Sequence, residues 1–392
     1  MRSPESLRST ITPWLLGCVL VAAVVLAVVL EAAGGAYAPS PGGLPDAGPL
    51  TGWGLPVVRL LVDLAGFATV GLTLVGSRVL HVGRGPADDA LPGAVRTAAI
   101  WAALCILQGL LYVSETLATP LVTTDLTALR DLLGALAELP EATAMLAQAA
   151  LAASVVWLVA LARTPTGTGV ALAAAVAAFV PPTLVGHAAT GNRIIGSLSL
   201  VVHVVAAALW IGGLAALTWT ALRGRTPLAN AVPRYSLLAM GCVAAVALSG
   251  VINAAVRLGS LGALFGSGYG LVVLAKVVAI LALAGFGQLH RQHTVERLRT
   301  WRRKRNVPAA APVFIGLAAV ELTVMAATVA LAVGLSRTPT PTSDDALDPP
   351  GAGSALRVEI ARAAAHPLRD ARGQRPADTA GTHAPAGQSM RR

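Results

Sequence analysis

Two histidines, His187 and His203, lie within apolar runs of this 392-residue chain. Neutral imidazole is the commonest metal-ligating side chain and suits copper, zinc, iron or haem iron. The alternative for each is a ring bonded to a backbone carbonyl inside a helix bundle. Glu321 and Met325 are four residues apart and therefore share one face of a helix. Together they offer a carboxylate and a thioether, although a buried methionine more often fills a core. Lys276 has no acid in its own run, so its charge needs a partner across the bundle, with Glu321 and Asp63 as candidates. Arg59 and Asp63 are spaced i, i+4 and either neutralise each other or line a polar cavity. Asn253 reads as an interhelical hydrogen-bond partner. Ionisable groups in such surroundings are costly to keep, which makes each a candidate for function.

The elements that must position these groups follow from composition. Charged residues make up 12% of the chain and hydrophobic ones 55%, with a mean hydropathy of +0.70. So few charges cannot cover a water-soluble surface, which excludes a soluble enzyme or a nucleic-acid-binding domain. The three cysteines, Cys18, Cys105 and Cys242, all fall inside apolar runs with no CxxC pair, leaving neither a disulfide framework nor a zinc site. The chain reads as an all-α polytopic transmembrane bundle.

Nine runs approach the ~20 residues that ~30 Å of hydrocarbon requires. They are Trp14–Leu30, Pro56–Leu80, Ala94–Ser114, Ala142–Ala162, Thr168–Ala188, Ile194–Leu222, Tyr235–Leu258, Tyr269–Leu289 and Pro312–Leu335. Pro181-Pro182 should break the last turn of the fifth. Arginines concentrate in alternate loops: Arg84 and Arg96, then Arg163, then Arg223, Arg225 and Arg234, then the block from Arg291 to Arg305. The intervening loops are poor in Lys and Arg, and the stretch 115–141 is acidic. That asymmetry puts the N-terminus inside and the C-terminus outside. Five spans occupy residues 1–190 and four occupy 191–341. Residues 342–392 have few large apolar side chains and read as a disordered extracytoplasmic tail.

On this topology most polar groups sit in the outer half of the membrane, the pattern of a cavity open to the outside. His203 lies ~13 Å below the start of its helix, and His187 and His203 differ in depth by ~10 Å. One shared ion requires the Pro181-Pro182 break or a sixth helix that starts near Ser197.

The segment from Ile194 to Pro341 resembles the membrane domain of the copper resistance protein D (CopD) family. The features are H-V-V-A-A-A-L-W-I-G-G from His203 to Gly213, R-Y-S-L-L-A-M from Arg234 to Met240 and S-G-V-I-N-A from Ser249 to Ala254. R-L-G-S-L from Arg257, Y-G-L-V-V-L-A-K ending at Lys276, V-E-L around Glu321 and a closing S-R-T-P-T-P follow in order. The glycine preceding His187 and that histidine resemble the residues that often precede this domain. The resemblance implies copper transport across the plasma membrane of a bacterium, alongside a separate extracytoplasmic copper-binding protein of the CopC type. The expected partners are therefore membrane lipids and that protein, with no nucleic acid and no enzymatic activity. Copper would meet His187, then His203, with Glu321 and Met325 deeper. Trp210, Gly212 and Gly213 fall near mid-bilayer, where glycines admit a neighbouring helix and the tryptophan closes the cavity floor. Two alternatives stand beside this: a haem-binding redox protein with His203 as axial ligand and Lys276 on a propionate, and a factor delivering copper to a cuproenzyme.

Overall fold

The computed structural model describes residues 4–40, 42, 44–77, 80, 84–122, 125–162, 164–185, 193–223, 228–258, 261–290 and 310–338. Among them every regular element is a helix: α1 (Pro4–Ala32), α2 (Gly48–Gly76), α3 (Arg84–Thr116), α4 (Leu126–Glu138), α5 (Pro140–Leu161) and α6 (Pro165–Ala177). These are followed by α7 (Val180–Val185), α8 (Arg193–Leu222), α9 (Leu228–Leu258), α10 (Leu261–Gly266), α11 (Gly268–His290) and α12 (Ala310–Arg337). Among the described residues eight stretches are long and apolar enough to cross a membrane, with α6 and α7 together forming one, and Gly17–Ala32 of α1 is a shorter apolar helix. The chain is an all-α polytopic membrane bundle. Residues 1–341 form one compact unit; residues 339–392, including the expected tail, lie outside the described residues.

Side-chain pairs fix how the helices run. Thr51 to Ser114 at 2.8 Å and Thr69 to Thr97 at 3.0 Å make α2 and α3 antiparallel. Cys18 to Thr323 at 3.2 Å and the packing of Val29 on Gly334 make α1 and α12 parallel. Parallel α1 and α12 are what alternating spans demand when α1 is the first crossing and α12 the ninth. Large side chains such as Trp157, Leu248 and Val278 point outward and suit hydrocarbon. At the end of α8 the Arg223 guanidinium lies 4.2 Å from the Trp219 ring centre, a pairing common at membrane interfaces.

Two glycines bring α2 and α8 into backbone contact. A β-carbon on Gly71 would run into the Gly212 carbonyl, and one on Gly212 into the Phe67 carbonyl. Close approach of this kind replaces the missing hydrophobic drive between helices in lipid. Gly213 does the same for the Tyr235 ring of α9, whose nearest carbon would lie 2.7 Å from an added β-carbon. A helix from the first half of the sequence is thereby seated against the second half.

Most hydroxyl side chains in the spans donate to their own helix one turn back. Thr69, Thr73, Thr97, Thr218, Thr220, Ser249, Thr323 and Thr328 all do so. With no water available, this is the nearest acceptor each proton can reach.

Three local features depart from the sequence reading. The fifth span breaks at Ala178 and Phe179, before the two prolines rather than at them. Pro181 and Pro182 instead occupy the first turn of α7, where a missing N–H costs nothing. The acidic 115–141 stretch contains α4, capped by Asp125, whose carboxylate accepts from the Thr127 amide at 2.9 Å. Leu132 anchors α4 against Val113 and Ala142. The region after Leu258 holds the short α10.

Replacing Gly212 by Ala should destabilise the bundle by about 2 kcal/mol through overpacking. Gly241→Ala, which meets nothing within 4 Å, should leave thermal unfolding in detergent unchanged. Equal melting temperatures for the two variants would contradict the α2–α8 contact.

Candidate functional site

On α8 the residues Ser199, His203, Ala206, Trp210, Gly213 and Leu217 recur every three or four positions and form one stripe. That stripe faces α9, and polar pairs set an antiparallel register between the two. The Ser199 hydroxyl donates to the Ser249 carbonyl at 3.0 Å. The Asn253 amide donates to Ser199 Oγ at 3.2 Å and to the Ser249 carbonyl at 2.9 Å. Deeper in, the Tyr235 hydroxyl donates to the Trp210 carbonyl at 2.5 Å. Asn253 thus bridges helices as its type suggests.

His203 sits within this network, with Nδ1 3.0 Å from Ser249 Oγ. Ser249 has a single hydroxyl proton, which faces the Ala245 carbonyl at 2.5 Å. Its oxygen and the imidazole Nδ1 share one bond, whose direction the ring tautomer sets. Where Nδ1 donates to Ser249, Nε2 is the unprotonated nitrogen, the form in which imidazole binds a metal. Lys276 of α11 is near enough for its charge to act on the ring.

Glu321 and Met325 are both buried on α12, at 6% and 1% exposure. Met325 packs in an apolar cluster with Trp210, Tyr235, Cys242 and Phe314, and the Glu321 charge acts on Tyr235. Trp210 is thus an interior side chain of that cluster. Asp63 and Arg59 lie one turn apart on α2 with their charges in reach of each other, and Asp63 acts also on the Cys105 thiol. His187 lies outside the described residues. Among the described residues no three His, Cys, Asp or Glu side chains gather as a metal-binding group.

The helix registers place these groups in depth. Counting outward from the Gly71–Gly212 contact sets Asp63 level with Val204, next to His203. Counting from Thr69–Thr97 sets Asp63 beside Ala103, half a turn from Cys105. Counting inward from the Arg337–Glu115 pair on the parallel α3 and α12 sets Met325 at that same Ala103 level. His203, Asp63, Cys105 and Met325 thus share one layer to within about a helical turn, ~5 Å. Met325 is level with His203 rather than deeper, and Glu321 is one turn beyond it.

At one end of the bundle the last turn of α12 meets the last turn of α3. Arg337 grips Glu115 in a bidentate pair at 2.6 and 2.8 Å. The pair borders a cavity of about 370 Å³ lined also by Tyr37, Ser40, Asp46, Gly48, Gly52 and Ala118. The loop between α1 and α2 closes over it: the Tyr37 hydroxyl donates to Asp46 at 2.7 Å, and the Gly48 and Ser40 amides donate at 3.0 and 3.3 Å. These bonds, the Tyr37 one foremost, hold the Asp46 carboxyl below its ordinary range and push the Tyr37 hydroxyl up. Sequence reasoning misses this mouth. It also misses Ser249 as the partner of His203, although Ser249 opens the S-G-V-I-N-A motif.

What these observations define is a membrane helix bundle with an imidazole held in its interior by a second-helix serine. Residues 229–335 match the family model described as copper resistance protein D. The matched segment holds Ser249, Asn253, Lys276, Glu321 and Met325 on α9, α11 and α12, while His203 and Trp210 of α8 precede it. No curated protein and no solved structure matches the chain.

Because the folded Asp46 carboxyl is held below its ordinary value of 3.8, its bonds stabilise the loop above that pH. Their contribution fades as pH falls through the folded value. Amide exchange at Ser40 and Gly48 should accelerate on acidification below about pH 4 and already at neutral pH in Asp46→Ala. Unchanged exchange in the variant would show that the loop is held otherwise.

Proposed function

We propose that this protein moves copper across a bacterial plasma membrane, with His203 Nε2 as an interior ligand for the passing ion. The observation that carries this is the His203–Ser249 pair: a bond of 3.0 Å at Nδ1 orients the ring inside the bundle and leaves Nε2 as the nitrogen to meet an ion. Such outer partners raise ligand basicity and orient the ring. Glu321 and Met325, buried on the neighbouring α12, supply oxygen and thioether groups one turn apart. His187 completes the expected approach from outside. Scattered ligands suit an ion that must leave as readily as it enters.

The arginine-rich loops make the Arg337–Glu115 end the extracytoplasmic one. A separate copper-binding protein of the CopC type is the natural donor there. Trp210, Gly212 and Gly213 pack the helices under the site, and Asn253 and Lys276 flank it. The protein is read as a transporter rather than an enzyme; delivery to a cuproenzyme is the second use of the same ligands.

His203→Ala should abolish most radiolabelled copper uptake into proteoliposomes while the protein inserts normally. Ser249→Ala should weaken the apparent copper affinity by about 10- to 100-fold. Uptake unchanged in both variants would refute the assignment, and a Soret band in the purified native protein would transfer it to the haem reading.

A further inference from the structure

The short helix α4 takes no part in the site, yet its residues divide into three distinct sides. At ~100° per residue, Leu132, Ala135 and Leu136 fall on one side and pack against α3 and α5. Leu126, Leu129 and Leu133 fall on the next side and are exposed, Leu129 by 40% and Leu133 by 54%. Thr127, Asp131 and Glu138 lie opposite those leucines and are exposed too. Arg130 stands at the border between the leucines and the polar side.

The packed side fixes where α4 lies. Leu132 joins Val113 of α3, and an added β-carbon on Gly109 would meet Leu136 at 3.1 Å. Val113 and Gly109 stand ~5 and ~10 Å inside the end of α3 at Thr116. Ile106, on that same α3 face and one turn further in, is 45% exposed. So α4 covers the end of a strip that elsewhere meets lipid, and it lies on the perimeter of the bundle rather than above it. Leu139 ends α4 and leads straight into Pro140, the first residue of α5, so no loop lifts α4 clear of the spans.

Exposed leucines at that depth have acyl chains beside them. An amphipathic helix settles with its apolar side ~5–10 Å into the boundary of headgroups and acyl chains, the depth at which α4 is packed. An arginine at the edge of such a side keeps its methylenes with the apolar chains while its guanidinium reaches phosphate. The carboxylates of Asp131 and Glu138 face the other way, where phosphate does not repel them. A second copy of this chain fits less well, since three leucines fall far short of the ~800 Å² that each partner brings to a stable dimer.

We propose that α4 is an interfacial helix docked on the phospholipids of the leaflet at the Arg337–Glu115 end, with Leu129 and Leu133 among the acyl chains and Arg130 on the headgroup phosphates. The contact ties the segment between α3 and α5 to the bilayer. It stands whether or not the protein moves copper.

The test uses full-length protein, one copy per phospholipid nanodisc, and a maleimide confined to water. Cys18, Cys105 and Cys242 lie within apolar helices, so the reagent reads introduced cysteines. Thr127→Cys and Asp131→Cys should react, whereas Leu129→Cys and Leu133→Cys should be protected. In native protein a phospholipid with a photoactivatable acyl chain should label α4 at its leucines. Adding Arg130→Glu, which sets a negative charge against the phosphates, should abolish the protection of Leu133→Cys. Leucine positions that react as fast as Asp131→Cys in single-copy discs overturn the proposal, because water or a second copy then covers that side. Acyl labelling absent from α4 overturns it as well, and protection unchanged by Arg130→Glu overturns the phosphate contact.

Discussion

Inside a bilayer no water stands ready to satisfy a polar group, so every donor and acceptor must find a protein partner or remain orphaned at cost. The architecture follows from that constraint. Helices satisfy their own backbones, hydroxyls bond back one turn, and the remaining polar side chains meet across helix pairs. The Ser199, His203, Ser249 and Asn253 network is such a meeting, and it sets the α8–α9 register as firmly as any apolar packing. The Gly71–Gly212 contact does the same for α2 and α8 by bringing backbones together where side chains would hold them apart.

Those two contacts carry different loads. The α8–α9 network orients one imidazole. The α2–α8 contact seats Asp63 at the level of that imidazole, so the first half of the chain contributes to the same layer as the second. Arg337 and Glu115 then tie α12 to α3 at the mouth, closing the link between halves at a second point. A layer assembled from α2, α3, α8 and α12 is a property of the whole unit and not of the 229–335 segment alone.

Much of this was legible in the sequence. Apolar runs of about twenty residues announce spans, and the eight membrane-length stretches among the described residues correspond to the second through ninth of them. His203 stood out because an imidazole in such a run has few cheap reasons to be there. The serine that orients it did not, because its role depends on antiparallel register between helices nearly fifty residues apart. The common depth of Asp63, Cys105 and Met325 was hidden for the same reason: depth counted from each run's own start carries an error of a turn or more. α4 was missed because thirteen residues of mixed polarity lie below the length that marks a span. The Tyr37–Asp46 loop carries no periodic signal at all.

The back-bonded hydroxyls carry a further implication. Each threonine or serine that commits its proton to its own helix turns a bare oxygen toward its neighbours, as Ser249 does toward His203. Repeated along α2, α3, α8, α9 and α12, the habit leaves oxygen lone pairs of neutral residues among the packed helices. A positive guest passing through would find lone pairs at heights where no carboxylate stands, each holding it less tightly than a full negative charge. A negative guest would meet only repulsion from the same oxygens. Charge preference is in this way written into side chains that hydropathy alone counts as inert.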